Sequence, residues 1–220
     1  ASGAWAAAVA GRMQTRNASV SSAAWRVIGN FQYNTRFSRS RTGRMIDLCP
    51  RSRYYEAMIR ALFPGSFDPP TNGHMNIVGR AAGIFDAVSI VIAVNPNKHY
   101  TFSAEERYGM MQELVADMDN VDVHLWDRLI VEFADREDAK VMIRGVRALD
   151  DFEYEFELSM LNKGLNPRVE TILMPTDPQY FVLRSSAIKE LARLGGDIST
   201  MVPPPVVVAI EKKLKQEARA

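Results

Sequence analysis

A serine and a histidine share one short stretch, Leu62-Phe63-Pro64-Gly65-Ser66-Phe67-Asp68-Pro69-Pro70-Thr71-Asn72-Gly73-His74, and the backbone breaks around them define what they can do. Two glycines and three prolines separate an apolar run, Met58 to Phe63, from an amphipathic stretch, Met75 to Phe85. That order predicts a strand, a turn and a helix. A Gly-rich turn between strand and helix is a standard way to present backbone N–H groups to a phosphate. Ser66 adds a hydroxyl, and His74 adds an imidazole able to carry charge on the helix's first turn.

The other candidate residues have the same character. Lys98, Arg144, Arg147 and Arg184 are cations, and Ser185 and Ser186 are hydroxyls. Arginine forks match phosphate oxygens and lysine acts as a point charge, so the set suits a polyphosphate. There is no G-x-x-x-x-G-K-[ST] run, and no CxxC or HExxH spacing that would suggest zinc. No Ser-His-Asp order or reactive-cysteine setting stands out, so a covalent enzyme intermediate is not indicated.

Alternating strands and helices must position these groups. Strands are predicted at Met58–Phe63, Ala87–Val94, Val121–Trp126, Val141–Ile143 and Thr171–Met174. The run from Ala87 is continuously apolar, which suits a strand buried on both faces. Helices follow at Met75–Phe85, from a capping-box pattern at Ser103 and Glu106, and at Leu129–Arg136. Further helices are predicted at Asp150–Leu165, with Phe152, Phe156 and Met160 on one face, at Ser185–Leu194, and after the Pro203-Pro204-Pro205 break. Five strands alternating with helices predict an α/β fold, a doubly wound parallel sheet. Ligands bind such sheets outside the carboxyl ends of the strands, at the switch point. Ser66 and His74 follow the first strand, Lys98 the second, Asp127 to Ile130 the third, Arg144 and Arg147 the fourth, and Tyr180 to Ser186 the fifth.

The run from Gly65 to His74 resembles the T/H-x-G-H signature of the nucleotidylyltransferase superfamily. Ile143-Arg144-Gly145-Val146-Arg147 and Asp151-Phe152-Glu153-Tyr154-Glu155 resemble one branch, the bacterial phosphopantetheine adenylyltransferases, and the likeness extends from Met58 to about Leu214. The resemblance implies a Rossmann-like fold and adenylyl transfer from ATP to 4′-phosphopantetheine, giving dephospho-coenzyme A and pyrophosphate by direct in-line attack. It implies Mg²⁺ carried chiefly by ATP oxygens and water, with no metal-ligating residue of the chain, a cytoplasmic homohexamer, and no membrane or nucleic-acid partner. Position by position, Ser66 matches the residue touching both substrates, and His74 matches the transition-state stabiliser. Phe67, His74, Gly145, Val146, Arg147, Glu155, Tyr180, Phe181, Val182, Leu183, Arg184, Ser185 and Ser186 match the ATP side. Lys98, Ile130 and Arg144 match the acceptor side.

Judged without the resemblance, Ile130 reads as core, Lys98 as a solvated loop residue, and Glu155 as one of an acidic helix face with Glu153 and Glu157. Asp68 reads as a turn-former, and His99 and His124 receive no role. Where the family has three small hydroxyl residues before the helix after the fifth strand, this chain has arginine at the first place, Arg184. Its side chain either meets ATP phosphates or points away and leaves Ser185 and Ser186 to donate. Two other functions stay open: a sister enzyme with another phosphate acceptor such as nicotinate mononucleotide, or a nucleotide-binding regulator without catalysis.

Charge is distributed unevenly along the 220 residues. Residues 1–57 hold nine Arg, no Lys and two acids, a net of +7, while residues 58–220 carry 18 basic and 24 acidic residues, a net of −6. The first segment lacks apolar periodicity and is expected to be a disordered extension of the 58–220 domain. It reads as an upstream translated segment with the family's usual start near Met58, as a transit peptide, or as a basic arm for nucleic acid or anionic lipid. The one cysteine, Cys49, excludes an internal disulfide framework.

Overall fold

A computed structural model describes residues 58–180 and 184–217. The expectations for residues 1–57 therefore lie outside the described residues. Within them, β1 (Arg60–Gly65), β2 (Ala87–Ala93), β3 (Val121–Trp126), β4 (Val141–Val146) and β5 (Glu170–Pro175) form one parallel sheet in the order β3-β2-β1-β4-β5. The connecting helices are α1 (Asn72–Ala82), α2 (Ala104–Leu114), α3 (Ile130–Arg136) and α4 (Leu149–Leu165), with α5 (Ser185–Arg193) and α6 (Pro204–Glu217) after the sheet.

The period-2 alternation of the strands builds two core layers. Ala61 and Phe63 of β1, Val88, Ile90 and Ile92 of β2 and Ile143 of β4 turn to one face, against Ile77, Val78 and Ala81 of α1 and Met111 of α2. Leu62, Val91 and Met142 turn to the other, against Phe133 and Ala134 of α3. A third cluster joins Phe102, Met110 and Ile188 to Ile198, Val202, Val206 and Ile210, which fixes α5 and α6 beside α2. Each fully buried aliphatic side chain contributes roughly 1.5–3 kcal/mol, so the layers hold the strand ends firmly in register.

Three boundaries differ from the sequence reading in ways that shape the site. First, β1 extends through Pro64 and Gly65, although proline has no N–H to donate to a neighbour. The sheet accommodates it because β1 pairs with β4 only at Ala61 and Leu62, while its pairing with β2 continues to Gly65. The two strands therefore part at the switch point, and a crevice opens there. Second, β4 does not stop at Ile143; pairing with β5 carries it through Arg144, Gly145 and Val146. Arg144 thus stands on the strand rather than in a loop after it. Gly145 faces α1, where a Cβ would meet Cγ1 of Ile77 at 3.4 Å, ordinary van der Waals contact. Third, α6 begins inside the proline run, because a helix's first turn has no use for the missing N–H groups.

The expected apolar face of α4 is real but uncovered. Phe152, Phe156 and Met160 are 45, 50 and 58% exposed, and Leu149, Leu161 and Leu165 are more exposed still. Among the described residues no helix is long and apolar enough to cross a membrane.

Candidate active site

The crevice where β1 and β4 diverge opens into a cavity of about 590 Å³ at the carboxyl ends of the strands. Its lining includes five cations, Lys98, Arg144, Arg147, Arg184 and Lys189, against three carboxylates, Asp68, Asp151 and Glu155. The excess of positive charge suits a polyanionic ligand.

His74 lines it and is positioned by its own helix cap. Thr71 is the N-cap of α1, and its hydroxyl accepts the His74 N–H at 3.2 Å. In return the Thr71 N–H donates to His74 Nδ1 at 3.0 Å. This is a capping box with histidine in the place usually held by Glu or Gln. With Nδ1 accepting, the ring proton resides on Nε2. Although part of the ring edge reaches the cavity, the ring packs 5.0 Å from Phe67 and 6.5 Å from Phe63, centroid to centroid. Burial, and secondarily the positive charge of Arg147, lowers its pKa from 6.5 to about 4. His74 is therefore neutral at pH 7, with an Nε2–H to offer, and not the cation the sequence allowed.

A second correction concerns the helix terminus. The Thr71 and His74 N–H groups are used in the capping box, and the Asn72 N–H donates to Met201 O at 3.0 Å. Most of the α1 N-terminus is thus satisfied internally. It is α5 that begins at the cavity with no side-chain cap, its Ser185 and Ser186 in the lining. Uncapped first-turn N–H groups favour an anion.

The arginines are held by carboxylates of α4. Arg144 grips Glu155 with Nε and Nη2 at 2.5 and 2.8 Å, and its Nη1 donates to Pro64 O at 2.8 Å, spanning the gap between β4 and β1. Arg147 donates from Nε and Nη2 to Asp151 at 2.9 and 3.2 Å, and Arg184 Nη2 lies 3.6 Å from the same carboxylate. Arg184 therefore turns into the cavity and not away from it. Glu155 proves to be a half-buried partner of Arg144 rather than one of a solvated acidic face.

The structure brings Ser66, Phe67, His74, Lys98, Arg144, Gly145, Arg147, Glu155, Arg184, Ser185 and Ser186 to the cavity. The ring of Phe67 is buried, which leaves chiefly its backbone, at φ 48°, for a ligand. Three other candidates are absent from the lining. Ile130 opens α3 and packs on the Leu62–Phe133 cluster, Val146 pairs with Pro175 at the end of β4, and Tyr180 packs toward α5 and α6. Phe181, Val182 and Leu183 lie outside the described residues. Lys189, Asp151, Tyr100 and Asp68 line the cavity without having been singled out as site residues. Spacing offered a signal for two of them: Lys189 follows Ser185 by one helical turn, and Asp151 follows Arg147 by four residues.

A family profile described as cytidylyltransferase-like matches residues 62–191. Among curated proteins, a phosphopantetheine adenylyltransferase of Clostridium tetani is 48% identical over 153 residues, 70% of this chain and 96% of its own length. One from Caldanaerobacter subterraneus is 44% identical over 71% of this chain and 98% of its own, and one from Staphylococcus carnosus 47% identical over 70% and 96%. A solved structure from Vibrio parahaemolyticus, described as a nicotinate-nucleotide adenylyltransferase, aligns with a TM-score of 0.51 over 73% of this chain and 93% of its own. At 18% identity that likeness shows the fold alone.

Proposed function

The chain belongs to the phosphopantetheine adenylyltransferase family, and we propose how its cavity carries out that family's reaction. ATP and 4′-phosphopantetheine give dephospho-coenzyme A and pyrophosphate. A phosphate oxygen of the acceptor attacks the α-phosphorus of ATP, the bond from that phosphorus to the β-phosphate's bridging oxygen breaks, and pyrophosphate leaves. The observation that carries the reading is a fixed, neutral imidazole that shares one cavity at the switch point with five cations.

His74 donates its Nε2–H to an α-phosphate oxygen as charge develops there, a role for a preorganised donor. The Ser66–Phe67 backbone, Gly145, Arg147 and the start of α5 with Arg184 hold the ATP. Lys98 and Arg144 take the acceptor phosphate. A guanidinium has five N–H donors; Arg144 uses three on Glu155 and Pro64, which leaves two for a phosphate. Glu155 acts by fixing Arg144.

Mg²⁺ fits as an ion brought by ATP. Among the described residues no group of three metal-ligating side chains occurs, and Asp151 and Glu155 already hold arginines. When bound, the ion shields phosphate charge; the chain's part is to orient the phosphates. We also propose a cytoplasmic location, which the reaction's need for ATP supports. We further propose a homohexamer; the bare Leu149, Phe152, Phe156 and Met160 face of α4 supports burial against another copy, and any mass other than six chains by light scattering overturns it.

A pyrophosphate-release assay tests the whole reading. Release is expected with ATP and 4′-phosphopantetheine and not with ATP and nicotinate mononucleotide. Equal turnover of both refutes the choice of acceptor, and no turnover with any acceptor favours the regulator.

A further inference from the structure

Two loops carry the groups assigned to the two substrates: residues 66–71 after β1, with Ser66 and His74's cap, and residues 94–103 after β2, with Lys98. In-line attack needs these loops at a fixed spacing, and two buried side chains join them from opposite directions.

Asp68, 6% exposed, reaches from the first loop to the second. Its Oδ1 accepts the Phe102 N–H at 2.9 Å, and its Oδ2 accepts the Thr101 N–H at 3.1 Å and the Lys189 ammonium at 2.7 Å. Arg107, on α2 and 1% exposed, reaches back. Its Nη1 donates to Ser66 O at 2.7 Å and to Ala93 O at 3.1 Å, while Nε donates to Ser103 O at 3.3 Å. The guanidinium lies 4.1 Å from the ring centre of Tyr100, two residues beyond Lys98 and itself in the cavity wall.

Among the described residues Arg107 has no carboxylate within ion-pair distance. Burying a charge for the sake of carbonyls and a ring is a poor way to gain stability, since desolvation offsets most of the attraction. What an arginine offers there is geometry: a planar fork that binds two chain segments at a set distance. We propose that Arg107 and Asp68 form a clamp that sets the position of the Lys98 loop against the Ser66 loop and so aligns the acceptor phosphate with the α-phosphorus. Both are positioning residues, acting through Ser66 and Lys98. The proposal rests on the assignment of Ser66 and Lys98 given above.

The test uses Arg107→Lys and Asp68→Asn in the full chain. Lysine keeps the charge but not the fork. Asparagine must turn an NH₂ toward a backbone N–H or the Lys189 ammonium, donor against donor. Each substrate's Kd is measured separately by calorimetry, and kcat by pyrophosphate release. A slipped alignment is expected to lower kcat roughly 10–10²-fold while each Kd stays within about threefold. A readout specific to alignment is the double variant with Lys98→Ala: once Lys98 is gone, adding Arg107→Lys is expected to cost much less kcat than it does alone. Should one variant fail to fold, the other carries the test, because both side chains grip the same pair of loops. Wild-type kcat in the folded variants, weakened Kd with kcat intact, or full additivity with Lys98→Ala overturns the clamp. A wild-type chain that does not turn over this substrate pair overturns the functional assignment itself, and the clamp's catalytic role with it.

Discussion

Lowering the pH from about 6.5 should destabilise this protein through His74. The unfolded chain binds a proton at this imidazole as pH falls through about 6.5, whereas the folded chain resists until about 4. In that window the unfolded state holds more protons, so stability rises with pH and is lost as pH falls. The two values differ by about 2.5 units, and at 1.36 kcal/mol per unit the loss approaches roughly 3 kcal/mol at pH 4. This is a ceiling, since the ring edge reaches the cavity and some water with it. Against a typical total of about 5–15 kcal/mol it is a large fraction. Asp122 does not confuse the reading. Burial pushes its pKa up, but hydrogen bonds from His124, Ser89 and Arg60 outweigh that and hold it well below its ordinary 3.8, so its contribution is lost only at lower pH. Urea unfolding of wild type and His74→Gln from pH 7.5 to 4.5 isolates the effect: wild type should lose stability more steeply, and the difference between the curves belongs to His74. Between pH 6 and 8 kcat should show no dependence on His74 ionisation, because the donor is the neutral ring. Parallel stability curves would refute the burial argument. A kcat that falls as pH rises through about 6.5, and loses that fall in His74→Gln, would show that the imidazolium is the working form.

Arg144→Ala should raise the KM for phosphopantetheine more than that for ATP, and Arg147→Ala the reverse, each by roughly 1.5–3 kcal/mol; matching losses of both ligands in calorimetry would refute the division of labour. Gly65→Ala should lower both Tm and kcat, because the new Cβ would lie 2.9 Å from the Phe67 ring, which is buried and packs on His74; unchanged kcat with a normal His74 environment by NMR would show that the ring can yield. Removing residues 1–57 should leave kcat within about threefold of the full chain, since every residue assigned to the reaction lies beyond them; a loss of tenfold or more, about 1.4 kcal/mol of barrier, would give that basic segment a part in the site.

The order of elements was legible because strands buried on both faces leave uninterrupted apolar runs, as β2 does, and because Ser103 and Glu106 announce their capping box in sequence. The rim was legible for the same reason: in a parallel sheet, whatever follows each strand faces one edge. The charge state of His74 was not read, although Thr71 and His74 have capping-box spacing; the motif is recognised by Glu or Gln at the last place, and an imidazole can fill it. Gly145 lines the cavity, as its match to the ATP side implied, but its contact with Ile77 of α1, 68 residues earlier, is encoded by no local pattern. Ile130 reads as core from its residue type, and it packs, partly buried, against the Leu62–Phe133 cluster. Asp68 looked like a local turn-former because its partners, Thr101, Phe102 and Lys189, are 33, 34 and 121 residues away, and no local pattern encodes such contacts.

These distant partners explain how five cations can share one cavity before any phosphate arrives. Left alone they would repel and their long side chains would disperse, and binding would have to order them at a cost of about 0.5–1.5 kcal/mol each. Instead Glu155 fixes Arg144, Asp151 lies between Arg147 and Arg184, and Asp68 holds Lys189. Only Lys98, exposed on its loop, has no such carboxylate among the described residues. The carboxylates offset three charges of five, so the cavity keeps a net attraction for polyphosphate while most of its donors are already aimed. Electrostatic stabilisation depends on donors that need not reorganise as charge develops. The acids of α4 therefore serve catalysis through the arginines they hold, and replacing Glu155 by Gln should reduce kcat by loosening Arg144 even though no negative charge is needed by the reaction itself.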